Sequence, residues 1–293
     1  MIKTIQKQLN IPETGIYDEF TEAAVRNFQL KTNIPVTGII DNLTKEKLLQ
    51  DDSDGKIDSD LYSISLIRQY NLPKSEYFVG SKPRAIFLHH TAGWNNPYQV
   101  VDTWAKDTRG KIGTAFVIGG TNFKTGDTQY DGDIVQAFPT TGYAWHLGIG
   151  NTDLHRNSIG IELCNFGYLT KSNGKYLTYT GQSVPTSDVA KLVNPFRGFQ
   201  YFHKYTASQI SAVKWLLSEL ASRTGVDVTE GLKSRLKRNK DVNFAFEYDP
   251  EISSGRLNGL FSHTNVSPKN KYGGYDKWDI FPQSEMVDMI LSL

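Results

Sequence analysis

A short acidic segment, DDSDGKIDSD at residues 51–60, divides the chain into two parts of very different length. The segment is polar and contains Gly55, a composition typical of a linker. The sequence therefore predicts a domain at residues 1–50 and a second domain at residues 61–293. The first part is small for an independent hydrophobic core, whereas the second is long enough to bury a sizeable one.

The composition excludes several classes of protein. The 32 lysine and arginine residues nearly balance the 31 aspartate and glutamate residues, so no global charge bias points to nucleic acid or a membrane surface. The one cysteine, Cys164, excludes an internal disulfide and a cysteine-rich zinc site. There is no apolar run of about 18 residues, and residues 1–15 lack the apolar core of a signal peptide. We therefore expect synthesis in a cytoplasm, no membrane insertion and delivery by something other than a standard signal.

The first 50 residues contain an internal repeat. TGIYDEFT at 14–21 and TGIIDNLT at 37–44 share the pattern T-G-I-x-D-x-x-T. Thr21 and Thr44 are predicted N-caps of the helices that follow each copy. An earlier helix that contains Ile5 completes a predicted unit of three helices.

This unit resembles the peptidoglycan-binding domain, in which a G-x-x-D-x-x-T turn precedes an A-V-x-x-F-Q helix. The turn is formed here by Gly15, Asp18 and Thr21, and the helix by AVRNFQ at 24–29. The resemblance implies that residues 1–50 bind bacterial peptidoglycan. The alternative is that the pattern reports only helix caps and a helical spacer.

Beyond the linker, strand-like and helical patterns alternate. The clearest helix spans residues 206–225, with Thr206 as its predicted N-cap and Gly225 as its predicted end. A second helix is predicted at 98–108. Strands with interspersed helices predict an α/β domain with a mixed central β-sheet flanked by helices. The predicted strands are AIFLHH at 85–90, TAFVIGG at 114–120, GDIVQAF at 132–138 and NSIGIELCN at 157–165.

Four of the six histidines lie in a context that suggests chemistry. His89 and His90 end a predicted strand, where neighbouring side chains point to opposite faces, so one strand does not easily direct both at one ion. His146 lies in the loop GYAWHLGIG, and His263 precedes a segment rich in lysine and aspartate. These residues supply the donors for a three-ligand zinc site with an open position, although their spacing alone does not select the set.

The motifs resemble, in order, those of zinc-dependent N-acetylmuramoyl-L-alanine amidases over about residues 80–285. They are IFLHHTAG, FVIGG with GDIVQAFP, YAWHLGIG with NSIGIELCN, and FSHTNVSP with KWD. The family implies a Zn²⁺ enzyme that cleaves the amide between N-acetylmuramic acid and the L-alanine of the stem peptide. It also implies three metal ligands, which match His89, His263 and Asp279. Asp276 is a rival for the third ligand because NKYGGYD at 270–276 is inserted relative to relatives.

The same resemblance assigns roles around the metal. Glu162 in SIGIE matches the general base, and Lys277 matches the lysine that stabilises the oxyanion, with Lys271 as its rival. His146 in AWH matches a residue that contacts the substrate or the transition state. The remaining predicted substrate contacts are Trp145 and Asn165. Ligand histidines must be neutral to bind metal, so the activity is expected to fail at acidic pH.

Two other segments have simpler interpretations. The span 167–185 is rich in Tyr, Gly, Ser and Thr and predicts a hairpin insertion beside the substrate groove. The basic stretch at 231–241 is interpreted as a solvated helix face or loop, with attraction to anionic wall polymers as the alternative.

Together these features predict a modular peptidoglycan hydrolase, with a phage endolysin as the best match and an exported bacterial autolysin as the rival origin. We expect a monomer that acts at the bacterial cell wall, with a holin as a candidate delivery partner. The sequence also allows two non-enzymatic alternatives. One is a peptidoglycan-recognition protein on the same fold, and the other is a structural component of a phage particle.

Overall fold

The computed structural model describes residues 2–32, 34–40, 44, 47–48 and 67–293, so the predicted linker at 51–60 lies outside the described residues. The helices are α1 (Ile2–Gln8), α2 (Glu19–Lys31), α3 (Pro97–Trp104), α4 (Thr152–Arg156), α5 (Ala207–Thr224), α6 (Leu232–Arg238), α7 (Val242–Phe246), α8 (Pro250–Ser253) and α9 (Ser284–Ser292). Short 3-10 turns occur at Lys74–Glu76, Thr186–Asp188 and His263–Val266. Among the described residues, no helix is both long enough and apolar enough to cross a bilayer.

In the part of the chain that the structure describes, the strands form one mixed sheet, one antiparallel sheet and a short two-stranded ribbon. They are β1 (Ile67–Gln69), β2 (Phe78–Val79), β3 (Ala85–His90), β4 (Phe116–Ile118), β5 (Ile134–Gln136), β6 (Gly142–Tyr143), β7 (Ser158–Leu163), β8 (Tyr168–Ser172), β9 (Lys175–Leu177), β10 (Ser183–Val184), β11 (Val189–Phe196), β12 (Phe199–His203) and β13 (Gly259–Ser262). The predicted strands at 114–120 and 132–138 are therefore shorter than expected. Gly113 and Gly119 lie on either side of β4, and Gly132 precedes β5.

The mixed sheet is the centre of the larger domain. Its strand order is β1-β5-β4-β7-β3-β13, and its pairs are parallel except for β4 with β5. Every residue of β3 is buried, as expected for a parallel strand that is covered on both faces. The predicted α/β fold with a mixed central sheet and flanking helices is confirmed.

The two copies of the N-terminal repeat are each held by a buried glutamine. Gln6 Nε2 donates to Thr21 Oγ1 at 2.9 Å, and Gln6 Oε1 accepts from the backbone N–H of Gly15 at 2.8 Å. Gln29 makes the matching bonds in the second copy, to Thr44 Oγ1 at 2.9 Å and from the N–H of Gly38 at 2.8 Å. Each copy of the repeat is thus a turn that a buried glutamine fixes through the same pattern of hydrogen bonds.

The predicted N-cap at Thr21 is wrong. Helix α2 begins at Glu19, and Asp18 caps it by accepting from the N–H of Thr21 at 2.8 Å. The Thr21 hydroxyl also donates to Asp18 and is fully buried. An aspartate three residues earlier is the stronger acceptor, so the helix starts one turn sooner. Most of the third predicted helix lies outside the described residues, although Thr44, Lys47 and Leu48 are helical.

Helix α5 forms as its caps predict. Thr206 and Gln209 make a reciprocal capping box, and Gly225 ends the helix with φ +74°. The helix is buried on more than one stripe, because Trp215 contacts Phe20 of α2 at 6.2 Å between ring centroids while Leu216 is also buried. It therefore packs against both parts of the chain.

The predicted hairpin insertion belongs to a larger antiparallel sheet. Its strand order is β10-β9-β8-β12-β11, so residues 189–203 add two strands that the sequence analysis did not anticipate. Strands β11 and β12 are joined by a two-residue turn at Arg197 and Gly198, with Phe196 paired with Phe199.

Candidate metal centre and active-site cleft

Three adjacent parallel strands end at the same edge of the central sheet. In β3 and β7, His89 pairs in register with Glu162. On the other side of β3, Leu88 pairs with Ser262 of β13, so His263 follows directly beside His89. The carboxyl ends of parallel strands are where α/β proteins place their sites. This register brings together side chains that lie far apart in the sequence.

His89, His263 and Asp279 form a buried cluster of three donor groups. Asp279 Oδ2 lies 2.7 Å from His263 Nδ1 and 3.4 Å from His89 Nδ1, and the two Nδ1 atoms are 3.0 Å apart. In a tetrahedral zinc site with bonds of about 2.0–2.1 Å, neighbouring ligand atoms lie about 3.3 Å apart. The three donor atoms therefore have the chemistry and spacing for one small divalent cation.

The partners of His263 fix which of its nitrogens carries a lone pair. Nε2 lies 2.9 Å from the carbonyl oxygen of Leu147, which can only accept, so Nε2 is the protonated nitrogen. In the neutral ring, Nδ1 then directs its lone pair at the carboxylate of Asp279. Two electron-rich atoms in this arrangement repel each other unless a proton or a metal cation lies between them. A ring N–H held by a backbone carbonyl is the usual second-shell pattern of a metal-ligating histidine.

A chain of hydrogen bonds fixes the tautomer of His89 in the same way. Ser158 Oγ donates to the carbonyl of Leu154 at 2.6 Å, so it accepts from His146 Nε2 at 3.0 Å. His146 Nδ1 is then left to accept from His89 Nε2, also at 3.0 Å. His89 Nδ1 is therefore the unprotonated nitrogen that faces His263 and Asp279. His146, which the sequence predicts as a contact of the substrate or the transition state, lines the cleft, and both of its ring nitrogens have protein partners.

Burial and neighbouring groups shift the pKa values in this cluster. Burial, together with the adjacent His263, lowers the pKa of His89 to about 4, although Asp279 opposes the shift. Burial alone would raise the pKa of Asp279, but His263 and His89 beside it bring that pKa well below its usual range. His89 is thus neutral and Asp279 ionised at neutral pH, as metal binding requires.

Glu162 lies beside the cluster at the end of β7. Burial, with repulsion from Asp279, raises the pKa of Glu162 to about 8, while Lys277 lowers it. Its carboxylate has no hydrogen bond or ion pair with any other residue that the structure describes. A carboxylate that borders the cleft without a protein partner is available for proton transfer.

The structure separates the rival lysines and aspartates of the inserted segment. Asp279 is buried in the cluster, whereas Asp276 is exposed and accepts from Asn270 Nδ2 at 2.8 Å. Lys277 is exposed and lines the cleft. Lys271 lies over the ring of Tyr272, with Nζ 5.0 Å from its centroid. Asp276 also borders the cleft, but Asp279 is the aspartate that lies 2.7 Å from His263 Nδ1, and Lys277 is the lysine of the two that lines the cleft.

His90 points away from the three donor atoms. Its Nδ1 lies 2.9 Å from the hydroxyl of Tyr205, and its ring packs against Phe281. Two other histidines also have structural partners. His155 Nδ1 accepts from the backbone N–H of His146 at 3.1 Å, and His203 Nδ1 accepts from the N–H of Phe166 at 3.3 Å.

The cluster opens into a cleft of about 380 Å³. Trp145 lines it, as the predicted substrate contact requires, whereas Asn165 does not. Asn165 is fully buried, donates to the carbonyl of His203 at 2.9 Å and accepts from the N–H of Gly167 at 2.7 Å. In this structure its side chain bridges two backbone segments rather than contacting the cleft.

The antiparallel sheet provides a wall that the sequence analysis only partly identified. Tyr168 of β8 and Tyr179 of the turn between β9 and β10 line the cleft. The Tyr179 hydroxyl donates to the carbonyl of Ala92 at 3.0 Å, next to the strand that carries His89. Trp104 and Arg109 line the cleft as well. In the sequence, only the composition of residues 167–185 indicated that this segment borders the cleft.

Comparison with known proteins finds two family models that match different parts of the chain. The family model of N-acetylmuramoyl-L-alanine amidases matches residues 79–250, and a peptidoglycan binding domain model matches residues 2–48. No curated protein matches the chain.

Several solved structures are similar at low identity. The catalytic domain of PlyG is 15% identical, with 69% of this chain and 81% of that chain covered and a TM-score of 0.38. The amidase LysC from Clostridium intestinale is 14% identical, with 68% and 83% covered and a TM-score of 0.37. A mutant endolysin from Bacillus subtilis is 18% identical, with 56% and 79% covered and a TM-score of 0.34.

The two family matches confirm the resemblances that the sequence motifs indicated. The amidase match includes His89, His146 and Glu162, while His263 and Asp279 lie beyond its end and are joined to His89 by the fold. Because the amidase model spans more than half of the 293 residues, the chain belongs to the N-acetylmuramoyl-L-alanine amidase family.

Proposed function

We propose that this protein is a zinc-dependent amidase that hydrolyses the bond between N-acetylmuramic acid and the L-alanine of the stem peptide. The observation that carries the proposal is the convergence of His89 Nδ1, His263 Nδ1 and Asp279 Oδ2 to within 2.7–3.4 Å of one another. Two imidazoles and a carboxylate are a common donor set of catalytic zinc. Family membership supplies the reaction class, and the donor set supplies the metal.

The remaining roles follow from position in the cleft. When bound, Zn²⁺ supplies Lewis-acid polarisation of the amide carbonyl, a more acidic water and positive charge that favours the ionised form of Glu162. Glu162 takes the proton of the attacking water and passes it to the leaving amine, which is possible because its carboxylate is otherwise unpartnered. The ammonium of Lys277 stabilises the charge that develops on the carbonyl oxygen.

The N-terminal domain, residues 1–50, is proposed to hold the enzyme on the peptidoglycan, and residues 51–60 to join it to the amidase domain at 61–293. A non-catalytic recognition protein on this fold is the alternative. It is disfavoured because the chain keeps a candidate for each ligand and for the base.

Zinc content and bond cleavage test the proposal together. Purified full-length protein is dialysed and analysed for zinc, and its reaction with purified cell walls is followed by the release of free N-terminal alanine. We expect about one zinc per chain and steady release of alanine amines. His89→Ala should lose both, whereas the matched variant His90→Ala should keep the zinc because its ring faces Tyr205. A wild-type protein that binds no zinc and releases no alanine would exclude the enzyme.

The pairing of a wall-binding domain with an amidase also matches an endolysin that lyses a host from within, and we include that role in the proposal. The chain would act as a monomer and reach the wall through a holin. Expression in a susceptible host with and without a holin tests this role. Lysis should require both proteins, and lysis by the amidase alone would favour the autolysin origin.

A further inference from the structure

Arg197 occupies an unusual position at the turn between β11 and β12. Its φ is +47°, a conformation that non-glycine residues rarely adopt, and its side chain is completely buried. A buried guanidinium and a left-handed backbone are both unfavourable unless the surroundings require them. The turn itself needs neither feature from an arginine, since asparagine or glycine suits such a turn better.

The guanidinium binds backbone carbonyls on the loop that connects two of the proposed metal ligands. Nη2 donates to the carbonyl of Thr264 at 2.7 Å and to that of Ser267 at 3.1 Å, and Nη1 donates to the carbonyl of Lys277 at 2.9 Å. Thr264 follows the ligand His263, and Lys277 lies two residues before Asp279. Arg197 therefore forms hydrogen bonds with both ends of this loop.

The contact is reciprocal and continues into the antiparallel sheet. Trp278, next to Asp279, donates its indole N–H to the carbonyl of Arg197 at 3.0 Å. The Trp278 ring packs on Tyr168 at 4.7 Å and on Phe199 at 5.7 Å between centroids. The segment that carries Lys277 and Asp279 is thus attached to β8 and β12 by one indole and one guanidinium.

The loop between the ligands needs such an attachment. Residues 268–277 are largely exposed and include Gly273 and Gly274. One backbone hydrogen bond, from the N–H of Thr264 to the carbonyl of Asp279 at 3.0 Å, closes the loop near the ligands. Arg197 fixes the carbonyls on either side of that bond, so it restricts where the Asp279 carboxylate can lie relative to His263.

We propose that Arg197 is a positioning residue for the metal centre, through which the β11–β12 hairpin holds Asp279 and Lys277 in place. The inference rests on the proposed zinc site. It goes beyond that site because it gives the antiparallel sheet a role in metal affinity, in addition to its role as a wall of the cleft. A merely structural arginine would affect folding stability without changing the ligand geometry.

Arg235 offers a matched control. Like Arg197, it binds several backbone carbonyls, those of Phe244, Ala245 and Glu247, and it pairs with the carboxylate of Asp249. None of these partners lies in the loop between the proposed ligands. Asn265 of the loop between the ligands donates to two of these carbonyls, those of Ala245 and Glu247, so Arg235 touches that loop only at second hand. Arg235→Gln therefore removes an arginine of similar type that makes no direct hydrogen bond to the loop.

The experiment compares full-length wild type with Arg197→Gln, Arg235→Gln and Trp278→Phe. Zinc affinity is measured by competition with a chromophoric chelator, folding stability by urea unfolding of the metal-free protein, and ligand geometry by the visible absorption of the Co²⁺ form. We expect Arg197→Gln to raise the Kd for zinc at least about tenfold, in the range seen when outer-shell partners are removed, and to change the Co²⁺ bands. Arg235→Gln should lower stability while leaving the Kd and the Co²⁺ bands unchanged.

Trp278→Phe keeps the ring packing but loses the N–H donated to Arg197, so it should also raise the zinc Kd. This variant decides the matter if Arg197→Gln does not fold. An unchanged Kd in Arg197→Gln, or in Trp278→Phe when the arginine variant is unfolded, would overturn the inference. An equal rise in Arg235→Gln would also overturn it, since any loosening of the domain would then suffice. A wild-type protein without zinc would instead refute the proposed function.

Discussion

Glu162 illustrates how position in the fold creates chemistry at a single residue. Its carboxylate lies one strand from His89 and is held in a buried environment that raises its pKa to about 8. We predict that Glu162→Gln lowers kcat by about 100-fold or more while zinc binding is retained, because general acid–base catalysis contributes about 10²–10⁴-fold. Alanine release and zinc content measured on the same preparation check this. Full activity in Glu162→Gln would rule out its role as the base.

The pKa of His203 leads to a prediction about acid stability. Burial, with repulsion from His90, lowers the pKa of His203 from 6.5 to about 4. Between these values the unfolded chain binds a proton that the folded chain does not, so stability is full above pH 6.5 and is lost as the pH falls toward 4. From pH 7 to pH 5 this histidine alone should cost the folded state about 2 kcal/mol.

The measurement is urea unfolding of the metal-free protein at pH 7 and pH 5, with His203→Asn as the comparison. Asparagine keeps an acceptor for the N–H of Phe166 but does not titrate. The variant should lose less stability than the wild type over this interval. An identical loss in both proteins would show that His203 is not responsible.

At the scale of secondary-structure elements, neighbouring residues predicted the ends of some helices accurately but did not predict some strands at all. Helix α5 matched its predicted ends because its capping box and its left-handed glycine are encoded within a few residues. Strands β11 and β12 were missed because their pairing depends on a turn at Arg197 and Gly198, which lacks the usual Asn-Gly signal, and on contacts with β8. No local pattern in the sequence marks such pairing between distant strands.

The capping box of α5 gives a prediction at the same scale. Thr206 Oγ1 accepts from the N–H of Gln209 at 3.0 Å and donates to Asp131 at 2.6 Å, which ties the helix to the loop before β5. Thr206→Ala should lower the free energy of unfolding by about 1 kcal/mol or somewhat more. Ser218→Ala, at an exposed position in the same helix, is the control and should have little effect. Equal urea midpoints for the two variants would contradict a capping role.

At the scale of the whole molecule, the candidate site depends on topology rather than on motifs. His89 and His263 are 174 residues apart in sequence, yet the pairing of β3 with β13 places their rings 4.5 Å apart. The family resemblance selected both histidines and favoured Asp279 over Asp276. Only the path of the loop to Asp279, held by Arg197, shows which carboxylate reaches the histidines. Residue types were thus predictable from the sequence, whereas their convergence required the fold.

The residues that line the cleft and the peptidoglycan binding domain match occupy different parts of the chain. The described residues that line the cleft all lie between His89 and Asp279, whereas the peptidoglycan binding domain match ends at residue 48. A chain that begins at residue 61 should therefore keep its zinc and cleave a soluble muramoyl peptide at nearly the rate of the full chain. Its binding to insoluble walls should fall at least about tenfold, because linked binding sites gain about 10²–10⁴-fold in avidity.

Truncation also removes the contact between Phe20 and Trp215, so some loss of stability is expected. Thermal unfolding should register that loss, and circular dichroism should establish that the shortened chain is folded before rates are compared. Sedimentation with purified walls then measures binding, and alanine release from the soluble peptide measures cleavage. If the shortened chain sediments with walls as completely as the full chain, residues 1–50 are a helical spacer rather than a wall-binding domain, and recognition lies within the cleft itself.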